Sequence, residues 1–92
     1  MQILLLDKAF KNINEFFRYL TNISTEYTNK TIFNICLSIE KLKLLPYIGR
    51  YVPNLPDKLF RELIYKEFRI IYFVSEKTIL FIFNIFLAVS EI

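Results

Sequence analysis

Residues 60–87 read FRELIYKEFRIIYFVSEKTILFIFNIFL and contain three apolar runs. The runs are rich in Ile, Phe, Tyr, Val and Leu, the side chains that favour strands. They occupy residues 60–65, 68–75 and 78–87. The spacers are the polar pairs Lys66-Glu67 and Glu76-Lys77, and spacers of two residues join neighbouring strands as hairpins. This part of the chain therefore predicts an antiparallel meander of three strands.

The N-terminal residues predict a short strand followed by a helix. Residues 2–6 are apolar, which is typical of a strand with both faces covered. Asp7 is a good N-cap, and the spacing of the apolar residues after it predicts a helix over residues 8–20. Its apolar face carries Ala9, Phe10, Ile13, Phe16, Phe17 and Leu20, and its polar face carries Lys8, Lys11, Asn12, Glu15 and Arg18.

A second helix is predicted between the polar connection at 21–24 and Pro46, since the residue before a proline is disfavoured in the α region. A connection this short makes the two helices a hairpin. The predicted buried stripe is Tyr27, Ile32, Ile35, Cys36, Ile39, Leu42 and Leu45. The predicted outer positions are Asn34, Ser38, Lys41 and Lys43.

Residues 46–56 contain all three prolines and the single glycine of the chain, which predicts an ordered loop. We expect Gly49 to be there because the backbone needs a positive φ. The complete order is then β-α-α-β-β-β, an α+β fold in one domain over residues 1–92. A strand and a helical hairpin pack on one face of a mainly antiparallel, twisted sheet, which buries both helical stripes in one core.

The composition is more apolar than one small core requires. Hydrophobic residues make up 54% of the 92, with 10 Phe and 6 Tyr, against about 45–50% in ordinary domains. We expect some of this apolar surface to stay exposed and to serve a partner; biased codon usage is the alternative explanation. The net charge of +3 is weak support for a polyanionic partner.

The single cysteine and the lack of histidine exclude several kinds of site. One cysteine forms no internal disulfide, and a zinc site of Cys and His is ruled out. We interpret Cys36 as a small core residue rather than a nucleophile. Residues 79–89 are too short to span a bilayer, and residues 3–6 are too short for a secretory signal. We expect a cytoplasmic protein with no membrane association and no cofactor.

Three sequence blocks resemble the signature of the RelE/ParE toxin superfamily. The first is Leu45-Pro46-Tyr47-Ile48-Gly49-Arg50-Tyr51-Val52-Pro53. The others are Arg61-Glu62-Leu63-Ile64 and Phe68-Arg69-Ile70-Ile71-Tyr72-Phe73-Val74. In that superfamily an apolar-Pro-x-x-Gly-Arg-x-Val-Pro turn is followed by Arg-Glu-Leu and then by an aromatic-Arg-Ile-Ile-Tyr strand. The spacing between the blocks agrees, and the resemblance extends over nearly the whole chain.

The resemblance implies the toxin of a type II toxin-antitoxin system, associated with plasmid stabilisation and growth inhibition. A cognate antitoxin would hold it inactive in a hetero-oligomer. RelE-like members cleave messenger RNA on the ribosome, whereas ParE-like members inhibit DNA gyrase and are not known for chemistry of their own. The superfamily signature leaves both targets open.

The ribonuclease alternative needs a base for the 2′-hydroxyl, cations for the phosphate and an acid for the leaving oxygen. The catalytic candidates are Arg69, Glu62 and Lys66, with Arg61 and Tyr72 as further ones. The resemblance places Arg69 in the cleft of ribonuclease members; an outward strand arginine paired with a carboxylate is the alternative. Neighbours on a strand point to opposite faces, so Arg61 and Glu62 are not expected to serve one site.

The C-terminal residues depart from the superfamily and favour the ParE-like interpretation. Many relatives end in His-x-x-Arg or in Tyr with basic residues, whereas this chain ends Phe86-Leu87-Ala88-Val89-Ser90-Glu91-Ile92. The predicted partner-binding residues are Arg50, Arg61, Tyr72, Phe86, Leu87 and Val89. For Arg50 we expect mainly a structural contact to the sheet or to a carboxylate. An inactive toxin remnant that binds its antitoxin is a third possibility.

Overall fold

Two helices and a sheet of five strands make up the described part of the chain, residues 1–56, 58–65, 68–76 and 78–87 of a computed structural model. The elements are β1 (Gln2–Leu5), α1 (Asp7–Ile23), α2 (Thr25–Leu44), β2 (Arg50–Tyr51), β3 (Arg61–Tyr65), β4 (Phe68–Ser75) and β5 (Ile79–Leu87). The strand order is β1-β5-β4-β3-β2. The α+β prediction is confirmed, and the two-residue strand β2 inside the predicted loop is an addition to it.

Strands β3, β4 and β5 form the predicted antiparallel meander. Along β4, Phe68, Ile70 and Tyr72 are buried, because alternate side chains of a strand point to the same face. The register shifts at Ile71/Tyr72, which pair with Asn84 and Ile82. Strand β5 thus has one extra residue there, the pattern of a β-bulge.

Strand β1 pairs in parallel with β5 at the edge of the sheet. Leu4 and Leu5 are 38% and 37% exposed. Neighbouring side chains of a strand point to opposite faces, so these two exposures show that the prediction of a strand covered on both faces is wrong; β1 is an edge strand of the sheet. Its neighbour along the sheet, β5, is the strand that α1 contacts most.

Helix α1 begins one residue earlier than predicted and ends three residues later. Leu6, with extended backbone, is the N-cap and provides no side-chain hydrogen bond. Asp7 lies in the first turn instead, where a negative charge is favourable next to the helix dipole. Ser24 alone separates the helices, and its hydroxyl accepts from the Tyr27 backbone N–H at 3.2 Å, as an N-cap of α2.

Helix α2 is rotated relative to the predicted stripe. Its buried residues are Thr28, Thr31, Ile35, Ser38 and Leu42. The hydroxyls of Thr28 and Ser38 donate to the carbonyls of Ser24 and Asn34, four residues earlier, so these polar side chains are satisfied inside the helix when buried. Cys36 and Leu45 are exposed, so the core assignment of both is wrong.

The core lies between the helices and the inner face of the sheet. Its buried members are Ala9, Ile35, Leu42, Phe68, Ile70, Tyr72, Leu80, Ile82 and Ile85. Full burial of one such large side chain contributes roughly 1.5–3 kcal/mol. Within the described ranges, neither helix has the length and hydropathy needed to cross a membrane.

Candidate functional site

The loop after α2 is held against β3 and β4 by a close contact at Gly49. The Gly49 N–H donates a buried hydrogen bond of 2.8 Å to the Tyr72 hydroxyl. A Cβ at position 49 would lie 2.6 Å from that oxygen and 2.7 Å from the Glu62 carbonyl oxygen. The φ of Gly49 is not positive, so that prediction is wrong. Glycine is required because the backbone approaches the sheet more closely than a side chain permits.

Tyr72 is a buried structural residue of this contact. It has no exposed surface, which removes it from the side chains that a partner can touch on the folded chain. Burial raises the pKa of the Tyr72 phenol, against smaller opposing effects of the Gly49 N–H and the Arg61 charge. The phenol is therefore neutral at physiological pH, and its oxygen serves as acceptor for the loop.

Arg61 holds the same loop from β3, on the same face of the sheet as Tyr72, its cross-strand partner. Its Nη1 donates to the carbonyls of Gly49 and Tyr47 at 2.8 and 3.2 Å. The guanidinium carbon lies 4.2 Å from the ring centre of Tyr51 and 5.2 Å from that of Tyr47. Arg61 and Tyr51 are direct partners across β2 and β3, so the cation–π contact is a cross-strand pair.

The Glu62 carboxylate is buried between two arginines. The Arg50 Nε donates to Glu62 Oε1 at 2.7 Å, and the Arg69 Nε lies 3.9 Å from Glu62 Oε2. The Glu62 side chain is 2% exposed, against 61% for Arg50 and 22% for Arg69. A buried carboxylate is tolerated because these cations offset its lost hydration. The expected structural contact of Arg50 to a carboxylate is present.

Arg61 and Glu62 do occupy opposite faces of β3, as predicted, and yet both hold one loop. Strand β2 pairs Arg50 with Glu62 and Tyr51 with Arg61. The ion pair of Arg50 and Glu62 lies on one face of this two-residue strand, and the cation–π contact of Tyr51 and Arg61 lies on the other. We call the six residues around this point the loop node: Gly49, Arg50, Arg61, Glu62, Arg69 and Tyr72. The node gathers residues from three separate stretches of sequence.

The remaining predicted site residues are only partly placed. Phe86 is half-buried and pairs across the sheet with Arg69. Lys66 and Val89 lie outside the described residues, and for Leu87 the described part is its backbone in β5. No group of three or more metal-ligating side chains is present within the described ranges.

Two apolar surfaces beside the node were not predicted from sequence. The first lies at the end of α2 and in the loop that follows it, where Leu44, Leu45, Pro46, Tyr47 and Ile48 line an open depression of about 300 Å³. The second is on the sheet face opposite the helices, where the ring centres of Phe60 and Phe73 are 5.4 Å apart and those of Phe73 and Phe81 are 5.2 Å apart. The sequence signal for this second surface was the two-residue period of a strand over residues 69–73, which places every second side chain on the same face of the sheet.

Comparisons with known proteins agree with this fold. No protein-family profile and no curated protein sequence matches the chain. Among solved structures, a chain from the chromosomal ParDE toxin-antitoxin system of P. aeruginosa is similar, with a TM-score of 0.69 and 22% sequence identity. The match covers 95% of this chain and 95% of that one. At this identity the likeness shows that the two chains share a fold.

Proposed function

We propose that this protein is the toxin of a type II toxin-antitoxin pair, ParE-like in that it inhibits DNA gyrase by protein–protein contact, and that a cognate antitoxin neutralises it. The observation that carries the proposal is the fold shared over nearly the full length of both chains with a member of a ParDE system. The resemblance of the turn and strand motifs to the RelE/ParE signature supports the same assignment. We also propose the cytoplasm as its location.

The geometry of the loop node favours contact over catalysis. The Glu62 carboxylate is buried and bonded to Arg50, and the Tyr72 hydroxyl is buried and accepts from Gly49. The chain has no histidine. Glu62 and Tyr72, two acid–base groups of the motif, hold the loop, and that loop presents exposed Tyr47 and Tyr51 packed on Arg61. Tyr and Arg are, with Trp, the side chains enriched at binding hot spots.

The test is a gyrase supercoiling assay with the purified chain, run beside a ribosome-bound message cleavage assay. We expect loss of supercoiling and an intact message. Arg50→Ala should weaken gyrase inhibition by about tenfold, because Arg50 is the exposed cation of the node. Arg18→Ala, an exposed arginine on α1, is the matched control. Cleaved message with unaffected gyrase would contradict the proposal.

The RelE-like ribonuclease is the second candidate, and the position of Arg69 supports it. Its side chain is 22% exposed next to Glu62, so its positive charge lies partly at the surface of the chain. Under this hypothesis Arg69→Ala abolishes message cleavage and growth arrest while circular dichroism stays unchanged. Induced expression with no growth defect would instead indicate an inactive remnant that still binds an antitoxin.

A further inference from the structure

The solvent face of α2 carries a line of exposed residues with the spacing of a coiled-coil seam. The line is Glu26, Lys30, Phe33, Leu37, Glu40 and Leu44, with steps that alternate between four and three residues. Phe33, Leu37 and Leu44 are 63%, 52% and 80% exposed. An average step of 3.5 residues keeps side chains in register along a partner helix. We call this line the α2 seam.

The α2 seam lies opposite the face that α2 buries. At about 100° per residue, the seam points roughly 180° away from the buried Thr28, Ile35 and Leu42. The helix therefore buries three hydroxylated side chains together with Ile35 and Leu42 against the domain, and it leaves further large apolar side chains in solvent. An exposed apolar row of this kind marks a surface that a partner covers.

The charged residues of the α2 seam are complementary between two copies of the helix that run antiparallel to each other. In an antiparallel pair of α2 helices centred on residue 35, Phe33 lies opposite Leu37 of the second copy. Lys30 then lies opposite Glu40, and the two-fold axis repeats both pairs. A parallel pair would instead set Lys30 against Lys30, a like-charge contact that is unfavourable.

We propose that this chain forms a homodimer through the α2 seam, with two α2 helices antiparallel about a two-fold axis near residue 35. Such an isologous contact closes at two copies. The inference rests on the seam geometry and its charges and does not depend on the proposed toxin function. Phe33 and Leu37 are the apolar residues that this register pairs, whereas Leu44 lies opposite Glu26, so the interface is small and we expect dissociation on the order of 10–100 µM.

The first test is sedimentation equilibrium of the purified full chain between about 1 and 500 µM, which spans the expected range. We expect a reversible monomer–dimer equilibrium. Leu37→Glu should shift it to monomer throughout, because it places two charges at the centre of the seam. Lys11→Glu, an exposed charge reversal on α1, is the control and should leave it unchanged. A monomer at every concentration would overturn the proposal.

The second test is a charge exchange that is specific to antiparallel self-pairing. Lys30→Glu and Glu40→Lys should each weaken the dimer several-fold, since each sets like charges opposite one another. The double variant carrying both changes restores opposite charges and should recover the affinity of the unchanged chain. Recovery supports the antiparallel register. A double variant that associates no more tightly than the single variants would contradict it.

The single cysteine supplies an independent readout of the register. Cys36 is exposed and flanks the seam one residue from its proposed centre. The two copies of Cys36 would be offset by only about 3 Å along the helix axis at 1.5 Å per residue. A short bismaleimide should therefore cross-link the dimer efficiently, and Leu37→Glu should abolish the product. Absence of cross-linking at concentrations where sedimentation shows dimer would refute this register.

Discussion

The loop node and the α2 seam place polar and apolar groups in opposite ways. The node buries polar groups, and those of Gly49, Glu62 and Tyr72 have partners within the chain. The seam exposes apolar groups, with Phe33 and Leu37 more than half accessible. Changes in the node should therefore reduce folding stability, whereas changes in the seam should affect association and leave the fold intact.

Gly49→Ala should give the largest loss of stability in this comparison. The new methyl would lie 2.7 Å from the backbone oxygen of Glu62 and 2.6 Å from the Tyr72 hydroxyl, so either the loop or the strand must shift. Overpacking costs about 1–3 kcal/mol, and the displaced Gly49–Tyr72 hydrogen bond adds about 1 kcal/mol. We expect about 3 kcal/mol less unfolding free energy by urea denaturation. A change within 0.5 kcal/mol would show that the loop is not held by this contact.

Glu62→Gln should have the next largest effect. The amide keeps the shape of the side chain and removes the charge that faces Arg50 and Arg69. Breaking a fully buried pair costs about 3–5 kcal/mol, and the high exposure of Arg50 reduces this to about 2 kcal/mol. Urea denaturation measures the change. Arg50→Gln, made at the exposed end of the same pair, should cost a comparable amount, because it leaves the buried Glu62 carboxylate with only the more distant Arg69; a loss less than half as large would contradict this account.

Tyr72→Phe should cost about 1–2 kcal/mol at neutral pH, because it leaves the buried Gly49 N–H without its acceptor. Burial raises the pKa of Tyr72 above 10.0 in the folded chain. Above about pH 10, Tyr72 loses its proton more readily in the unfolded chain than in the folded chain. The free energy of unfolding therefore falls as the pH rises towards the folded pKa. The unchanged chain should lose stability as the pH rises above about 10, and Tyr72→Phe should lack that loss in thermal unfolding.

Phe33→Gln should have the smallest effect on the unfolding free energy. Phe33 is 63% exposed, and surface substitutions usually change stability by less than about 0.5 kcal/mol. The measurement is urea denaturation at about 1 µM, well below the proposed dimer range. Leu42→Ala, on the buried face of the same helix, is the control and should cost about 2–5 kcal/mol. Similar losses for both would mean that the seam packs within the chain.

Periodic local patterns allowed most elements to be predicted. The meander at β3, β4 and β5 was placed within one residue at each end, because alternating apolar residues and short polar spacers act over neighbouring positions. Helix α1 was longer than predicted, since residues 21–23 continue it and Ser24 alone makes the turn. Strand β2 was missed because two residues carry no periodic signal.

The candidate site was only partly predictable. The motif blocks drew attention to Arg50, Arg61, Glu62 and Arg69, and the structure places all four at one loop. The burial of Tyr72 and the close approach at Gly49 were not predictable, because they depend on a contact between residues 23 positions apart. The exposed tyrosines of the loop were missed for the same reason.

Element type and order follow from the chain alone, since hydrogen bonding within a helix and side-chain alternation along a strand are short-range properties. The direction in which each face of α2 points does not follow from the chain alone. Thr28 and Ser38 satisfy their hydroxyls within the helix, so hydrophobicity no longer distinguishes its inner face from its outer one. The packing of α2 on the rest of the domain set the direction of Phe33 and Leu37, as the folded loop set the need for glycine at position 49.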